Sequence, residues 1–113
     1  MAKNPIIFAL ANPKPEIDPQ IAKDADAAVM ATGSSQYPNQ VNNILVFPGL
    51  YKGLLSADLN KVDFGLEKAI ASALANMISN PTAEKIVPGV FDDGVVNTVA
   101  KAVQHYASQK NND

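Results

Sequence analysis

The sequence predicts an α/β fold: a partial Rossmann-like parallel sheet of about two strands with about four helices, incomplete on its own. Three observations carry this. The run Ile6-Ile7-Phe8-Ala9-Leu10-Ala11 is continuously apolar rather than alternating, which suits a parallel strand covered on both faces by helices. A second such run, Ala27 to Thr32, follows with a helix signal between, all within about thirty residues, the spacing of a right-handed βαβ unit. Two strands leave both sheet edges unpaired and cannot shield the apolar faces of four helices, so a partner is expected to supply more sheet.

Each element has its local reason. Asn12-Pro13 closes the first strand with turn chemistry. Asp18-Pro19 reads as an N-cap followed by proline at the first helical position, predicting a short helix through about Ala25. The second strand ends at Gly33. From Ser34 to Asn43 the chain is polar and turn-rich, with Pro38 and three asparagines, just past the carboxyl end of that strand, the edge where open α/β sheets bind ligands. Pro48 opens a helical pattern in which Phe47, Leu50, Tyr51, Leu54 and Leu55 share one apolar face, while Gly49 and Gly53 permit close packing. A longer amphipathic helix is predicted over Val62 to Ile78, with Val62, Leu66, Ile70, Leu74 and Met77 or Ile78 on its stripe and Asn80-Pro81 as its stop. After the Pro88-Gly89 loop, Asp92 or Asp93 is expected to cap a final helix with the apolar face Val95, Val96, Val99, Val103 and Tyr106. Ser108 to Asp113 are expected to fray.

Bulk properties narrow the function. At 113 residues there is room for one domain with a modest core, less than an enzyme holding both a dinucleotide and a second substrate ordinarily needs. Lys+Arg 9 against Asp+Glu 11, a formal charge of -2, provides no basic field for nucleic acid or an anionic membrane. Zero cysteines exclude a disulfide framework, a thiolate metal site and a cysteine nucleophile. The apolar run at the N-terminus is too short to span a bilayer and lacks a cleavage site, so no export signal is read and a cytoplasmic location is expected.

The polar residues offer binding chemistry without a catalyst. An amide at Asn12 would project from the carboxyl end of the sheet, where it could bond a carboxylate or carboxamide; the alternative is a turn-forming residue before proline. Asn42-Asn43 open the apolar helix, at a terminus suited to anions or simply to capping. Thr32-Gly33-Ser34-Ser35 has the look of a small phosphate or ribose loop, yet its glycine is single and no Gly-x-Gly-x-x-Gly occurs in the chain. The lone histidine, His105, falls near a helix C-terminus in a solvated role. Asp92-Asp93, like Asp24 and Asp26, read as helix-end carboxylates rather than a metal pair, and Lys14, Lys52 and Lys61 as surface lysines. No catalytic residue and no metal ligand is assigned.

Three segments in order, Ile6 to Ile17, Ala31-Thr32-Gly33 with Tyr37-Pro38-Asn39-Gln40-Val41-Asn42-Asn43, and Val46-Phe47-Pro48-Gly49-Leu50, resemble the C-terminal half of bacterial malic enzymes. Ile86-Val87-Pro88 and Phe91-Asp92 resemble that family's closing loop before its last helix, so the likeness covers essentially the whole chain, and Met1 would correspond to an internal family position. Residues 1–113 are thus expected to form the C-terminal part of a dinucleotide-binding domain. Ser34 departs from the pattern, since many bacterial relatives carry arginine there; Asp93-Gly94 departs too, where proline and arginine are common.

The resemblance implies oxidation of L-malate with NAD or NADP and a divalent metal, Mn or Mg, followed by decarboxylation to pyruvate. By the same likeness Asn12 would contact malate and the nicotinamide end of the cofactor, Asn43 would contact malate, and Thr32, Gly33 and Asn42 would line the cofactor side of the crevice. The family's catalytic tyrosine and lysine, acidic metal ligands and glycine fingerprint have no counterpart here, so the isolated chain is expected to be inactive. A homo-oligomer is expected from the bare sheet edges. A malolactic relative is the alternative within the enzyme class; outside it stands a free-standing oligomerising or carboxylate-binding module of the same fold.

Overall fold

A computed structural model describes residues 2–111. The elements are β1 (Ile6–Ala9), α1 (Pro19–Asp24), β2 (Val29–Thr32), α2 (Phe47–Ala57), α3 (Phe64–Asn76) and α4 (Val95–Asn111), with a one-turn helix at Asn43–Leu45 just before α2. The strands pair in parallel, in register from Ile6 with Val29 to Ala9 with Thr32, and α1 forms the crossover. Its start follows the expected chemistry: the Gln20 N–H donates to Asp18 Oδ1 at 2.8 Å, with Pro19 in the first turn. The α/β reading of two parallel strands and four helices therefore stands.

Two separate cores hold these pieces. Ala9, Ala22 and Met30, with the partly buried Ile7, Ile17 and Ala27, join α1 to one face of the sheet. Leu45, Leu50, Leu66, Ile70, Leu74, Val95, Val99 and Val103 knit the helical layer. Leu66, Val99 and Val103 are wholly buried, each worth roughly 1.5–3 kcal/mol of transfer from water. Closest of all is the approach of α2 to α4. A Cβ on Gly49 would stand 2.6 Å from Val99 Cβ, and one on Gly53 would stand 2.6 Å from Val103 Cβ.

Several expectations need correction. β1 stops at Ala9, and its two faces differ: Ile7 and Ala9 pack toward α1, whereas Ile6, Phe8 and Leu10 are 66%, 50% and 42% exposed. Burial on both faces is therefore not achieved by this chain alone. On α2 the packed ridge is Gly49, Leu50 and Gly53, because only glycine lets α4 come so near; Phe47, Tyr51 and Leu55 of the anticipated apolar face point outward. Val62 precedes α3 and is exposed, and Val96 on α4 is also exposed. The end of α4 does not fray within the described residues: it stays helical to Asn111, and Lys110 Nζ is tied to Asp63 Oδ2 at 2.6 Å. Asn112 and Asp113 lie outside the described residues. Asp92 turns back to accept from the Gly89 N–H and to pair with Lys85, closing the preceding loop rather than capping the helix.

The molecule is elongated for its length. Its radius of gyration is 15.8 Å, against about 13 Å for a compact domain of this size. Its accessible surface is 7455 Å², where a self-contained globule of the same mass would expose roughly 6000 Å². The bare outer face of β1 and outward side chains such as Leu55, Phe64 and Phe91 belong to that exposed surface.

Candidate functional site at the carboxyl edge of the sheet

β2 delivers Thr32 to the sheet's carboxyl edge, and the loop that follows folds back onto it. The Thr32 N–H donates to the Asn39 carbonyl at 3.3 Å, and the Val41 N–H donates to the Thr32 carbonyl at 2.7 Å, a short ladder beyond the strand. The Thr32 hydroxyl is buried and accepts from the Ser34 N–H at 3.1 Å, which sets the turn. Its role is thus to shape the backbone at Gly33.

Gly33 is the meeting point of the predicted residues. Its carbonyl accepts from Asn42 Nδ2 at 3.0 Å and from Gln40 Nε2 at 3.3 Å. Its bare Cα faces the Asn12 side chain: a Cβ there would lie 2.9 Å from Asn12 Nδ2 and 3.2 Å from the Leu10 carbonyl. Asn12 follows β1, is exposed, and makes no side-chain hydrogen bond among the described residues. Just before it the Ala11 N–H donates to Glu16 Oε1 at 2.9 Å, and that bond draws the Glu16 carboxyl below the usual range. The Asn12-Pro13 peptide is cis.

The two neighbouring asparagines divide their work. Asn42 is engaged at both ends of its amide, since Oδ1 also accepts from the Ile44 N–H at 3.1 Å and caps the one-turn helix. Asn43 is exposed and makes no side-chain hydrogen bond among the described residues. It stands on the rim shared by two clefts, of about 430 Å³ toward α3 and about 350 Å³ toward the end of β1. Leu10 and Asn42 line the second cleft with it, so the chain leaving β1 meets the asparagine pair there. Asn12, Thr32, Gly33, Asn42 and Asn43 accordingly form one neighbourhood, with Asn12 and Asn43 as its free amides.

Asn39 was not anticipated as a site element. It is only 6% exposed, and its amide bonds three backbone groups on two separate segments, β2 and residues 83–86. The one local clue is its place in a turn-rich stretch, where asparagine tolerates the left-handed backbone it adopts at φ 58°. Other candidates fall elsewhere. Lys52 donates to Asn97 Oδ1 on α4, and Asp24 accepts from Gln20 within α1. His105 is exposed on α4. Among the described residues no three His, Asp or Glu side chains gather to hold a metal ion, and no helix is long and apolar enough to cross a membrane.

Comparison with known proteins supplies the family. Residues 1–108 match the family model described as malic enzyme, NAD binding domain. Over 96% of its length the chain is 44% identical to the bifunctional malic/malolactic enzyme of Bacillus subtilis, of which it covers 27%. It is also 44% identical to the NAD-dependent malic enzyme of Geobacillus stearothermophilus, over 91% of this chain and 22% of that one. The solved malic enzyme of Pyrococcus horikoshii superposes with a TM-score of 0.93 at 40% identity, covering 98% of this chain and 26% of that one. The chain thus spans about a quarter of the length of these relatives. With the same βα arrangement and nearly its whole length matched, it belongs to the malic enzyme family, in the NAD-binding domain.

Proposed function

We propose that residues 1–113 are the C-terminal part of a malic enzyme NAD-binding domain and furnish the asparagine-lined wall on which L-malate and NAD or NADP meet. The observation that carries this is the contrast among the asparagines. Asn42 is spent on holding Gly33 and capping a helix, while Asn12 and Asn43, at the same sheet edge, keep free amides. A free carboxamide offers two donors and an acceptor, the set that recognises a carboxylate, a hydroxyl or the carboxamide of a nicotinamide. The nicotinamide, when bound, supplies the hydride acceptor.

The residues of this chain bind and orient. Asn12, held over Gly33, presents its amide to malate and the nicotinamide end; Asn43 presents its own to malate from the cleft rim; Thr32, Gly33 and Asn42 keep the intervening backbone in place. Such positioning lowers the entropic part of the barrier. It does not move the proton that malate oxidation must lose, and among the described residues no tyrosine–lysine hydrogen-bonded pair stands at this edge. The Mn or Mg that the reaction requires finds no ligand set among the described residues.

Malate oxidation with decarboxylation to pyruvate is therefore the activity of a longer assembly to which this chain contributes. A cytoplasmic setting fits the nicotinamide cofactor, whose pool is intracellular. Association with further copies fits the exposed Ile6, Phe8, Phe47, Tyr51 and Leu55.

The test is a segment swap. Replacing the matching quarter of the Bacillus subtilis relative by residues 1–108 should retain malate-dependent NAD or NADP reduction, and Asn12→Ala or Asn43→Ala in that chimera should lower kcat/KM by about 10²-fold. The chain alone, with malate, cofactor and Mn, should give no turnover. A folded chimera indifferent to both alanines would overturn the assignment.

A further inference from the structure

The Asn39 side chain bonds none of the residues assigned to ligand, yet it is the most heavily bonded side chain near the site. Nδ2 donates to the Met30 carbonyl at 3.0 Å and to the Ala83 carbonyl at 2.8 Å, while Oδ1 accepts from the Ile86 N–H at 2.9 Å. Two carbonyls on one side and one N–H on the other fix which end of the amide is which. Its own carbonyl accepts from the Thr32 N–H. One side chain thus ties β2, the loop carrying Asn42 and Asn43, and the 83–86 segment.

We infer that Asn39 is a positioning residue: it fixes the arm from Gln40 to Asn43 against the sheet edge, and so sets where the free amide of Asn43 stands. The inference rests on the reading of Asn43 as a malate-facing group. Sequence distance explains why a dedicated tether is required. The 83–86 segment lies beyond α3, and no other side chain among the described residues bonds it to β2. The chemistry admits few substitutes. Aspartate has the same shape and accepts the left-handed backbone, but it would set a carboxylate against two carbonyl oxygens. Glycine keeps the backbone and abolishes all three bonds.

Amide hydrogen exchange on the 113-residue chain tests the tether directly. In the unaltered chain the Asn39 side-chain amide protons should exchange at least about tenfold more slowly than those of Asn12 and Asn43. Asn39→Asp should accelerate exchange at Val41, Ile44 and Ile86 by at least about tenfold while Val99 and Val103 in the helical core change less than about twofold. If Asn39→Asp fails to fold, Asn39→Gly serves for the same comparison. Uniform acceleration throughout the chain, or none at Val41 and Ile44, would overturn the inference, as would fast exchange of the Asn39 amide itself.

A catalytic readout separates positioning from bulk stability. In the segment-swapped enzyme, well below its melting temperature, Asn39→Asp should raise the malate KM by about tenfold, and Asn39→Gly should do the same. An unchanged malate KM beside localised exchange would sink the positioning role. A chimera inert even with Asn39 intact would instead count against the malate-facing reading, and the exchange pattern would still decide the tether.

Discussion

Asn12 and Gly33 touch so closely that the glycine has no room for a side chain: a Cβ on Gly33 would sit 2.9 Å from Asn12 Nδ2 and 3.1 Å from its Oδ1. The contact joins the residues that follow the two strands, and it rests on the register that places Ala9 beside Thr32. Gly33→Ala must therefore push the Asn12 amide aside or open the strand ends, because the Leu10 carbonyl, 3.2 Å away, is backbone. The expected cost is about 1 kcal/mol, the low end for overpacked sites, because the exposed Asn12 side chain can swing away while the Leu10 carbonyl cannot. Thermal melting of Gly33→Ala, Asn12→Ala and the double variant checks it, with the glycine substitution milder by at least about 0.5 kcal/mol once Asn12 is gone. Strictly additive effects would mean that the two residues do not lean on each other.

That contact also marks where sequence reading stops. Asp18-Pro19 was legible because a cap is a matter of neighbouring residues, and two apolar runs separated by a helix signal at βαβ spacing declared a parallel pair. Asn12, Gly33 and Asn42 could each be nominated, but only a strand register and a returning loop make them neighbours. Asn39 was passed over because its partners Ala83 and Ile86 lie 44 and 47 residues away. On α2 the periodicity found the helix and part of its packed face, Leu50 and Leu54 beside the close-packing Gly49 and Gly53, but a 3.6-residue pattern weighs apolar bulk and put the outward Phe47, Tyr51 and Leu55 on that face as well.

The glycine ridge makes a prediction opposed to helix propensity. In a helix interior Gly→Ala ordinarily gains about 1 kcal/mol. Here a methyl on Gly49 would meet Val99 Cβ at 2.6 Å and the Val96 carbonyl at 2.7 Å, and one on Gly53 would meet Val103 Cβ at 2.6 Å. Packed backbone cannot give way as a flexible side chain does, so each alanine is expected to destabilise by about 1–3 kcal/mol net. Chemical denaturation reads this directly; a rise in midpoint for either variant would show that α2 and α4 stand further apart than described.

Asp63 ties the two ends of the helical layer, and its contribution should depend on pH. Its carboxylate accepts from the Leu66 N–H at the start of α3, from the Tyr106 hydroxyl at 2.6 Å and from Lys110 Nζ at 2.6 Å. Lys110 first, then Tyr106 and the Leu66 amide, hold the Asp63 carboxyl well below the usual range, while Asp63 in turn raises Tyr106 and Lys110 above theirs. A lowered carboxylate stabilises the fold fully at pH well above its unfolded value of about 4, and that contribution drains as pH falls toward the folded value. Raised tyrosine and lysine values act oppositely: their contribution is whole below about pH 10 and fades as pH climbs through the folded values. The stability gap between the unaltered chain and Asp63→Asn, which keeps a capping side chain, should be flat from about pH 6 to 8 and narrow below about pH 4. A gap unchanged at about pH 3 would mean that the charge does nothing.

The exposed side of α2 leads to the last prediction, on association. Phe47 and Tyr51 stack with ring centroids 5.8 Å apart, and Leu55, one turn further, is 83% exposed. Together with Ile6 and Phe8 on the bare face of β1 they leave more apolar surface in water than a self-sufficient domain of this size tolerates. Sedimentation of the chain at tens of micromolar should therefore reveal species heavier than 11.9 kDa. Tyr51→Lys and Phe8→Lys divide the two surfaces: the change that shifts the distribution toward monomer identifies the face used, since a lysine there carries its hydrated charge into the contact. Tyr51 lies outside both cores, so its substitution should leave the melting temperature of the monomer nearly unchanged, whereas Phe8 sits in a paired strand and its loss should lower it slightly. An unaltered chain that sediments as a clean monomer would mean that these faces are tolerated in water.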